Sequence, residues 1–411
     1  MVVAGESHGM TAGTAPLVFD AFAPEHRADP YPRYARIREA VPFLDSGFGV
    51  EFITRHAEAS QVLSETLWSH RDEASLFHPD ADRSKLPTSF LWMDPPDHTR
   101  LRSLVSKAFT PKRVLDLEPR ITQLVTGILD VARSSGEIEA IEAIAYPLPL
   151  IVVCELIGVP EEDWAMVHRI GPHLARGFDP DRVLSPAERQ ARDDATMELI
   201  AYFRDLIAKR RTDPCDDVAS ALGAVHERGD TLSEYEMLTV CITLLIAGHE
   251  TTVNMVGNGL LAFLRHPGQL DLIRECPELA GPAVDEVLRY DSAVHMTTRT
   301  ARRDLVVGDR TFAAGSSVCV LVGSANRDPR AFENPDTFDV TRYASGRPTP
   351  RHLGFALGIH YCMGAALARI EGEILWRELA RRVRVLEPAG DPVYRPNLLI
   401  RGLKSLPLRL V

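Results

Sequence analysis

The sequence predicts an α+β fold, mainly helical with a smaller β portion, from three observations. Helical signals dominate from Asp97 to about Leu279. Among them, Ser233 to Arg265 is the longest candidate, and its almost wholly apolar centre, Leu238 to Gly248, predicts a helix buried on most sides. After Tyr290, short β-rich runs (Leu305 to Val307, Ser317 to Gly323) alternate with turn residues as far as Phe355.

Taken in chain order, residues 1–15 are rich in Gly, Ala and Thr and are expected to be a disordered lead-in to one domain over 16–411. Apolar residues around a Gly turn in Ala40 to Thr54 predict a small hairpin. Ser69 to Thr88 is polar and broken by prolines, which predicts a long loop. Thr110-Pro111, Pro160 before an acidic run, and Ser185-Pro186-Ala187-Glu188 each mark a helix start. Ala293 to Thr298 reads as strand, Ala365 to Glu378 as a helix, and strands return near the C-terminus.

With 411 residues, 45% hydrophobic and 25% charged, the chain can enclose a cofactor without disulfides. Its 57 acidic against 46 basic residues, net charge −11, argue against nucleic-acid binding. Met1 to Leu17 lacks a basic n-region, and no stretch approaches the roughly 20 apolar residues of a bilayer span. A cytoplasmic protein without membrane insertion is expected. The six cysteines (Cys154, Cys215, Cys241, Cys276, Cys319 and Cys362) are dispersed without a C-x-x-C pair, which disfavours a clustered zinc or iron–sulfur site. Each is expected to be a buried free thiol.

Cys362 has unusual surroundings. Gly358 and Gly364 flank it and permit a tight loop and the close approach of a flat ligand. A helix follows, whose positive end favours a thiolate.

The run Phe355-x-x-Gly358-x-His360-x-Cys362-x-Gly364-x-x-Leu367-Ala368-Arg369 resembles the haem-binding signature of cytochrome P450 enzymes at every fixed position. The wider resemblance spans about Asp29 to Val411. It implies a triangular fold with a long central helix, haem b (iron protoporphyrin IX) ligated by Cys362, and O2 as co-substrate. It also implies NAD(P)H as the indirect electron source, through a ferredoxin and its reductase. The activity implied is insertion of one oxygen atom into a lipophilic small molecule.

Within that resemblance, Glu286-x-x-Arg289 matches the family's Glu-x-x-Arg motif. With Asn326-Arg327-Asp328-Pro329 and Arg342 it implies a buried structural ion-pair network. Four residues are expected to meet the haem propionates: His98 and Arg102, four apart on one helix, with Arg299 and His360. Ala247-Gly248-His249-Glu250-Thr251-Thr252 resembles the family's oxygen-binding groove. Ala247 and Gly248 would lie beside the haem, and Glu250 and Thr251 would deliver protons during dioxygen activation. A Gly followed by Thr-Thr also predicts a local helix distortion.

Thr243, Ile246, Val294, Leu399 and Ile400, with Ala247 and parts of Ser75 to Phe90, are the expected substrate lining. Arg102, Lys107, Lys112, Arg113 and Arg351 would offer a basic face to an acidic ferredoxin. A monomer is expected. Two lookalikes fail: His249-Glu250-x-x-Val253 lacks the second His of a zinc protease, and Gly257-x-Gly259-x-x-Ala262 has no preceding strand. The rival readings, a peroxide-driven peroxygenase and a non-catalytic haem sensor, are both disfavoured by the Glu250-Thr251 pair.

Overall fold

The computed structural model describes residues 26–46, 49–70, 89–227 and 230–411. The expected lead-in, the Gly47 turn and residues 71–88 lie outside them. The helices are α1 (Tyr31–Ala40), α2 (His56–Ser64), α3 (Asp97–Ala108), α4 (Pro111–Asp116), α5 (Glu118–Ser135), α6 (Pro147–Ile157) and α7 (Trp164–Ala175). Then come α8 (Pro186–Thr212), α9 (Val218–Ala224), α10 (Glu234–Arg265), α11 (Pro267–Glu275), α12 (Ala280–Tyr290), α13 (Val322–Ala325) and α14 (Ala365–Arg382). The strands used below are β1 (Phe43–Asp45), β2 (Val50–Ile53), β3 (Trp68–Ser69), β4 (Glu137–Glu139), β5 (Thr297–Ala301), β6 (Ser317–Val320), β7 (Leu386–Pro388) and β8 (Pro407–Leu410).

Local chemistry sets the helix starts. The Thr110 hydroxyl accepts from the Arg113 amide at 3.2 Å, ahead of Pro111. Ser185 with Glu188 and Ser233 with Glu236 form capping boxes that open α8 and α10. After Pro160 a 3-10 turn, Glu161–Asp163, leads into α7.

α10 is the 32-residue axis of the molecule and packs against α6, α7, α8, α11, α12 and α14. It has the length and hydropathy of a membrane span, which corrects the expectation that no stretch approaches one. Of its most apolar window 72% is buried inside the protein, as core. Its glycines allow close packing. A Cβ at Gly257 would lie 2.8 Å from Ile141 Cδ1, and one at Gly259 2.6 Å from the Trp376 ring. The expected distortion at Gly248–Thr252 is absent, and the helix is continuous. The Thr251 hydroxyl donates to the Ala247 carbonyl at 2.6 Å, and packing of Gly248 against Val153 on α6 holds the turn against weak propensity.

A five-stranded sheet, ordered β1-β2-β6-β5-β3, packs beside the helices; β2 and β6 run parallel, the other pairs antiparallel. β1 and β2 are the predicted hairpin. Two strand boundaries differ from expectation. β5 begins at Thr297 because Val294 instead bridges Ile400, so Arg299 lies inside the strand. β6 stops at Val320, where the chain turns into α13. A smaller sheet, β7-β8-β4, fastens the C-terminus to the end of α5.

Glu286, Arg289 and Arg342 form a buried ion-pair network, while Arg327 and Asp328, expected in it, bond the Tyr290 carbonyl and Arg38 instead. Arg289 Nε lies 2.7 Å and Arg342 Nε 3.1 Å from Glu286 Oε2. Arg289 also donates to the carbonyls of Asn326, Pro335 and Thr337. Asn326 Oδ1 in turn accepts from the Leu353 amide at 2.7 Å, carrying the brace to the Cys362 loop.

Candidate functional site

The Cys362 loop runs from Leu353 to the start of α14. Ala356 and Gly358 have positive φ, 55° and 64°. At Gly358 a Cβ would lie 2.8 Å from the Leu63 carbonyl, so the loop's close approach to α2 requires glycine. The Cys362 amide donates to the Phe355 carbonyl at 2.9 Å and closes the loop. Arg369 lies 4.7 Å above the Phe355 ring and bonds Asp285 at 2.8 Å; Asp285 also bonds His352 at 2.9 Å. α12 thus holds both ends of the loop. Burial alone would raise Asp285, but its bonds from His352 and Arg369 keep it below the usual carboxylate range. Burial pushes the Cys362 thiol up, while the Gly364 and Ala365 amides, Arg102 and Arg369 pull it down.

Cys362 opens onto a cavity of about 270 Å³ between α10 and α14, almost entirely apolar. At one end its wall carries Arg102, Arg299, His360 and, missed in the sequence, His70. His98 lies beside them, its ring 4.4 Å from that of His360. Both His98 ring nitrogens and His360 Nε2 are buried without a hydrogen-bond partner. Burial keeps both imidazoles neutral, reinforced at His98 by Arg102 and at His360 by His70, Arg299 and their neighbours. Arg102 donates to the Tyr361 carbonyl, and Arg299 to Thr297 Oγ1 at 2.9 Å.

One face of α10 forms the opposite wall, through Thr243, Leu244, Ala247, Gly248, Thr251, Thr252 and Met255. That spacing is helical, so Ile246 falls off the face and does not line the cavity, contrary to expectation; Leu244 takes the place assigned to it. Val294, Leu399 and Ile400 line the cavity as expected, as do Phe355 and Gly364, with Phe178 and Glu371 not foreseen. The Thr243 hydroxyl donates to that of Ser89 at 2.8 Å. Of the expected lining in Ser75 to Phe90, Phe90 is present and residues 75–88 lie outside the described residues.

Glu250 does not line the cavity, which corrects its expected place beside Thr251 at the oxygen site. The inward face of α10 holds Ala247, Gly248, Thr251, Thr252 and Met255, and Glu250, one step of about 100° back from Thr251, falls outside that arc. Glu250 is 1% exposed; Oε2 accepts from Arg395 Nη1 at 2.9 Å, and Oε1 has no partner. Burial raises its carboxyl against the opposing pull of Arg395. Gly171 on α7 makes room for this arrangement, since a Cβ there would stand 2.7 Å from Tyr146 Oη and 3.5 Å from Glu250 Oε1. Arg395 had no local sequence signal. It comes from the C-terminal segment, 145 residues along the chain from Glu250.

These residues fit haem. A partly buried thiol, Cys362, faces a cavity with cationic and orphaned imidazole donors clustered at one end, the complement of a flat iron-bearing dicarboxylate. Cys215 and Cys276 are exposed, against the expectation of burial, and Cys154, Cys241 and Cys319 are buried in the core.

A family model described as Cytochrome P450 matches residues 278–407. The chain is 38% identical to cytochrome P450 107B1 of Saccharopolyspora erythraea over 97% of its length and 99% of the relative's. It is 37% identical to 6-deoxyerythronolide B hydroxylase of the same organism, over 93% and 96%. The structure of cytochrome P450 CYP109Q5 from Chondromyces apiculatus superposes with a TM-score of 0.85, at 34% identity over 96% and 98% of the two chains.

Proposed function

The chain belongs to the cytochrome P450 family and is a monooxygenase of small lipophilic molecules, and from that premise we propose the residue roles and the substrate chemistry. Haem, when bound, supplies the iron at which O2 is used, with electrons from NAD(P)H delivered through redox partner proteins. One observation carries the assignment of the ligand: Cys362 is the single cysteine, among the described residues, on the cavity wall. Burial raises its thiol, and two backbone amides and two arginines oppose that rise. His98, Arg102, Arg299 and His360 would hold the propionates, and Ala247, Gly248, Phe355 and Gly364 would frame the ring, whereas Gly358, expected there too, lies off the cavity wall against Leu63 and Ser64.

Thr251 is the alcohol that places a proton in the cavity, exchanging its bond to the Ala247 carbonyl for one to the oxygen being reduced. Glu250, from the flank of α10, resupplies that proton once its side chain releases Arg395 and takes a proton from solvent water. The pairing with Arg395 therefore holds the acid off until it is needed. Thr251→Ala is expected to keep haem and its thiolate spectrum while product falls and hydrogen peroxide rises per electron pair. Unchanged coupling would remove Thr251 from this role.

The lining (Phe90, Phe178, Leu244, Val294, Leu399) is apolar, and its two arginines are assigned to the haem. This favours an uncharged substrate such as a polyketide, terpenoid or steroid. The electron donor is read as an acidic ferredoxin with its reductase. Lys112 and Arg113 bond Asp116 and Asp216 and Arg102 turns into the cavity, so the basic face is smaller than the sequence suggests. Residues 16–411 are read as one cytoplasmic, monomeric haem domain.

A further inference from the structure

Thr243 uses its hydroxyl differently from Thr239 and Thr251 on the same helix. Thr239 donates to the Tyr235 carbonyl at 2.9 Å and Thr251 to the Ala247 carbonyl at 2.6 Å, each back onto α10 itself. Thr243 instead reaches off the helix to the Ser89 hydroxyl at 2.8 Å. It is 7% exposed and is the first residue of the α10 face that lines the cavity. The wall residues adjoining the pair in sequence, Phe90 and Leu244, are apolar.

Ser89 is held in place. It caps the 3-10 turn Phe90–Trp92, and its oxygen accepts from the Leu91 amide at 3.1 Å. The two hydroxyls together carry two hydrogens, and the bond between them uses one. When Ser89 is the donor in that bond, its oxygen keeps the Leu91 amide and the Thr243 hydrogen is released. Thr243 is on the cavity wall and Ser89 is not, so that hydrogen is offered to whatever fills the cavity.

A helix rises about 1.5 Å per residue, so Thr243 stands about 12 Å along α10 from Thr251. Arg102 and Arg299, the arginines of the wall among the described residues, are assigned to the propionates. A carboxylate at Thr243 would be buried without a counter-charge, whereas a neutral carbonyl needs only one donor.

We propose that Thr243, backed by Ser89, determines specificity by donating a hydrogen bond to an uncharged carbonyl oxygen of the substrate. The substrate is an elongated ketone, ester or lactone, oxidised at a carbon remote from that carbonyl. This rests on the monooxygenase reading above and narrows its substrate class, because a plain hydrocarbon gives Thr243 nothing to bind.

Two ketones serve as probes, methyl decyl ketone and androstan-3-one, each paired with the alkene in which CH2 replaces the carbonyl oxygen. Binding to the holoenzyme is read by calorimetry and by the spin-state shift of the haem. The parent is expected to bind at least one ketone on the order of tenfold more tightly than its alkene, the worth of one buried neutral hydrogen bond. Thr243→Val, which keeps the shape and removes the hydroxyl, is expected to abolish that preference while keeping the alkene's affinity and the thiolate carbon monoxide spectrum. Thr243→Ser is expected to retain the preference. A parent that binds neither ketone more tightly than its alkene would overturn the proposal. So would a Thr243→Val protein that keeps the preference, or one that weakens ketone and alkene equally, as loss of a mere tether to Ser89 would. The parent comparison needs no variant, and with the thiolate spectrum intact a negative result leaves the monooxygenase reading standing.

Discussion

Buried acids leave a signature in stability as well as in chemistry, and Glu371 shows its sign. Its carboxyl is displaced from an ordinary 4.5 to about 8. Below the ordinary value both folded and unfolded chains carry the proton, so there is no penalty. Between the two values the unfolded chain ionises while the folded one holds its proton. Stability then falls by up to about 1.4 kcal/mol for each unit of rising pH, and levels off above the folded value. Glu371→Gln is expected to remove that slope, which denaturant unfolding at mildly acid and neutral pH would reveal; an identical slope in both proteins would mean Glu371 is ionised in the fold. Legibility differed among such residues. Cys362, His360 and Thr251 announce themselves by local spacing. Glu371 stood at a core position of a predicted helix and was readable in principle. Arg395 was not, since its partner is remote in sequence and only the tertiary fold brings the two together.

At the scale of elements, α10 shows what periodicity can and cannot supply. Its span from Ser233 to Arg265 and its buried, apolar centre were legible in the sequence, and the structure adds the capping box that opens it. Ile246 was misassigned because nearness to the motif in sequence was taken for a shared face, which a 100° helical step forbids. The predicted distortion also failed, because tertiary packing around Gly248 outweighs a difference in propensity of about 1 kcal/mol per residue. Gly257 and Gly259, which imitate a dinucleotide loop, are packing glycines. Gly259→Ala would drive a methyl against the rigid Trp376 ring at 2.6 Å. A loss of about 1–3 kcal/mol is expected. Thermal unfolding would measure it, and an unchanged midpoint would show that α10 and α14 are not locked there.

For the whole molecule, the mainly helical α+β class and the buried central helix followed from the sequence, whereas sheet order and the small β boundaries depended on long-range pairing. Net charge illustrates a further limit. A total of −11 says nothing of distribution, and the proposed docking of an acidic ferredoxin would depend on local basic surface rather than on the total. The rate of reduction by ferredoxin is expected to fall as ionic strength rises, because screening shortens the reach of that patch. Stopped-flow reduction at low and high salt checks it, and a salt-insensitive rate would contradict the electrostatic face.

The central claim is that Cys362 is the thiolate ligand of a haem seated in the cavity between α10 and α14. The most direct measurement is the carbon monoxide difference spectrum of the reduced protein, recorded for the parent and for Cys362→Ser. The parent is expected to show the red-shifted Soret band of thiolate-ligated haem, and the variant to lose it. A parent band at the position of imidazole-ligated haem, or a thiolate band that persists in Cys362→Ser, would contradict the account.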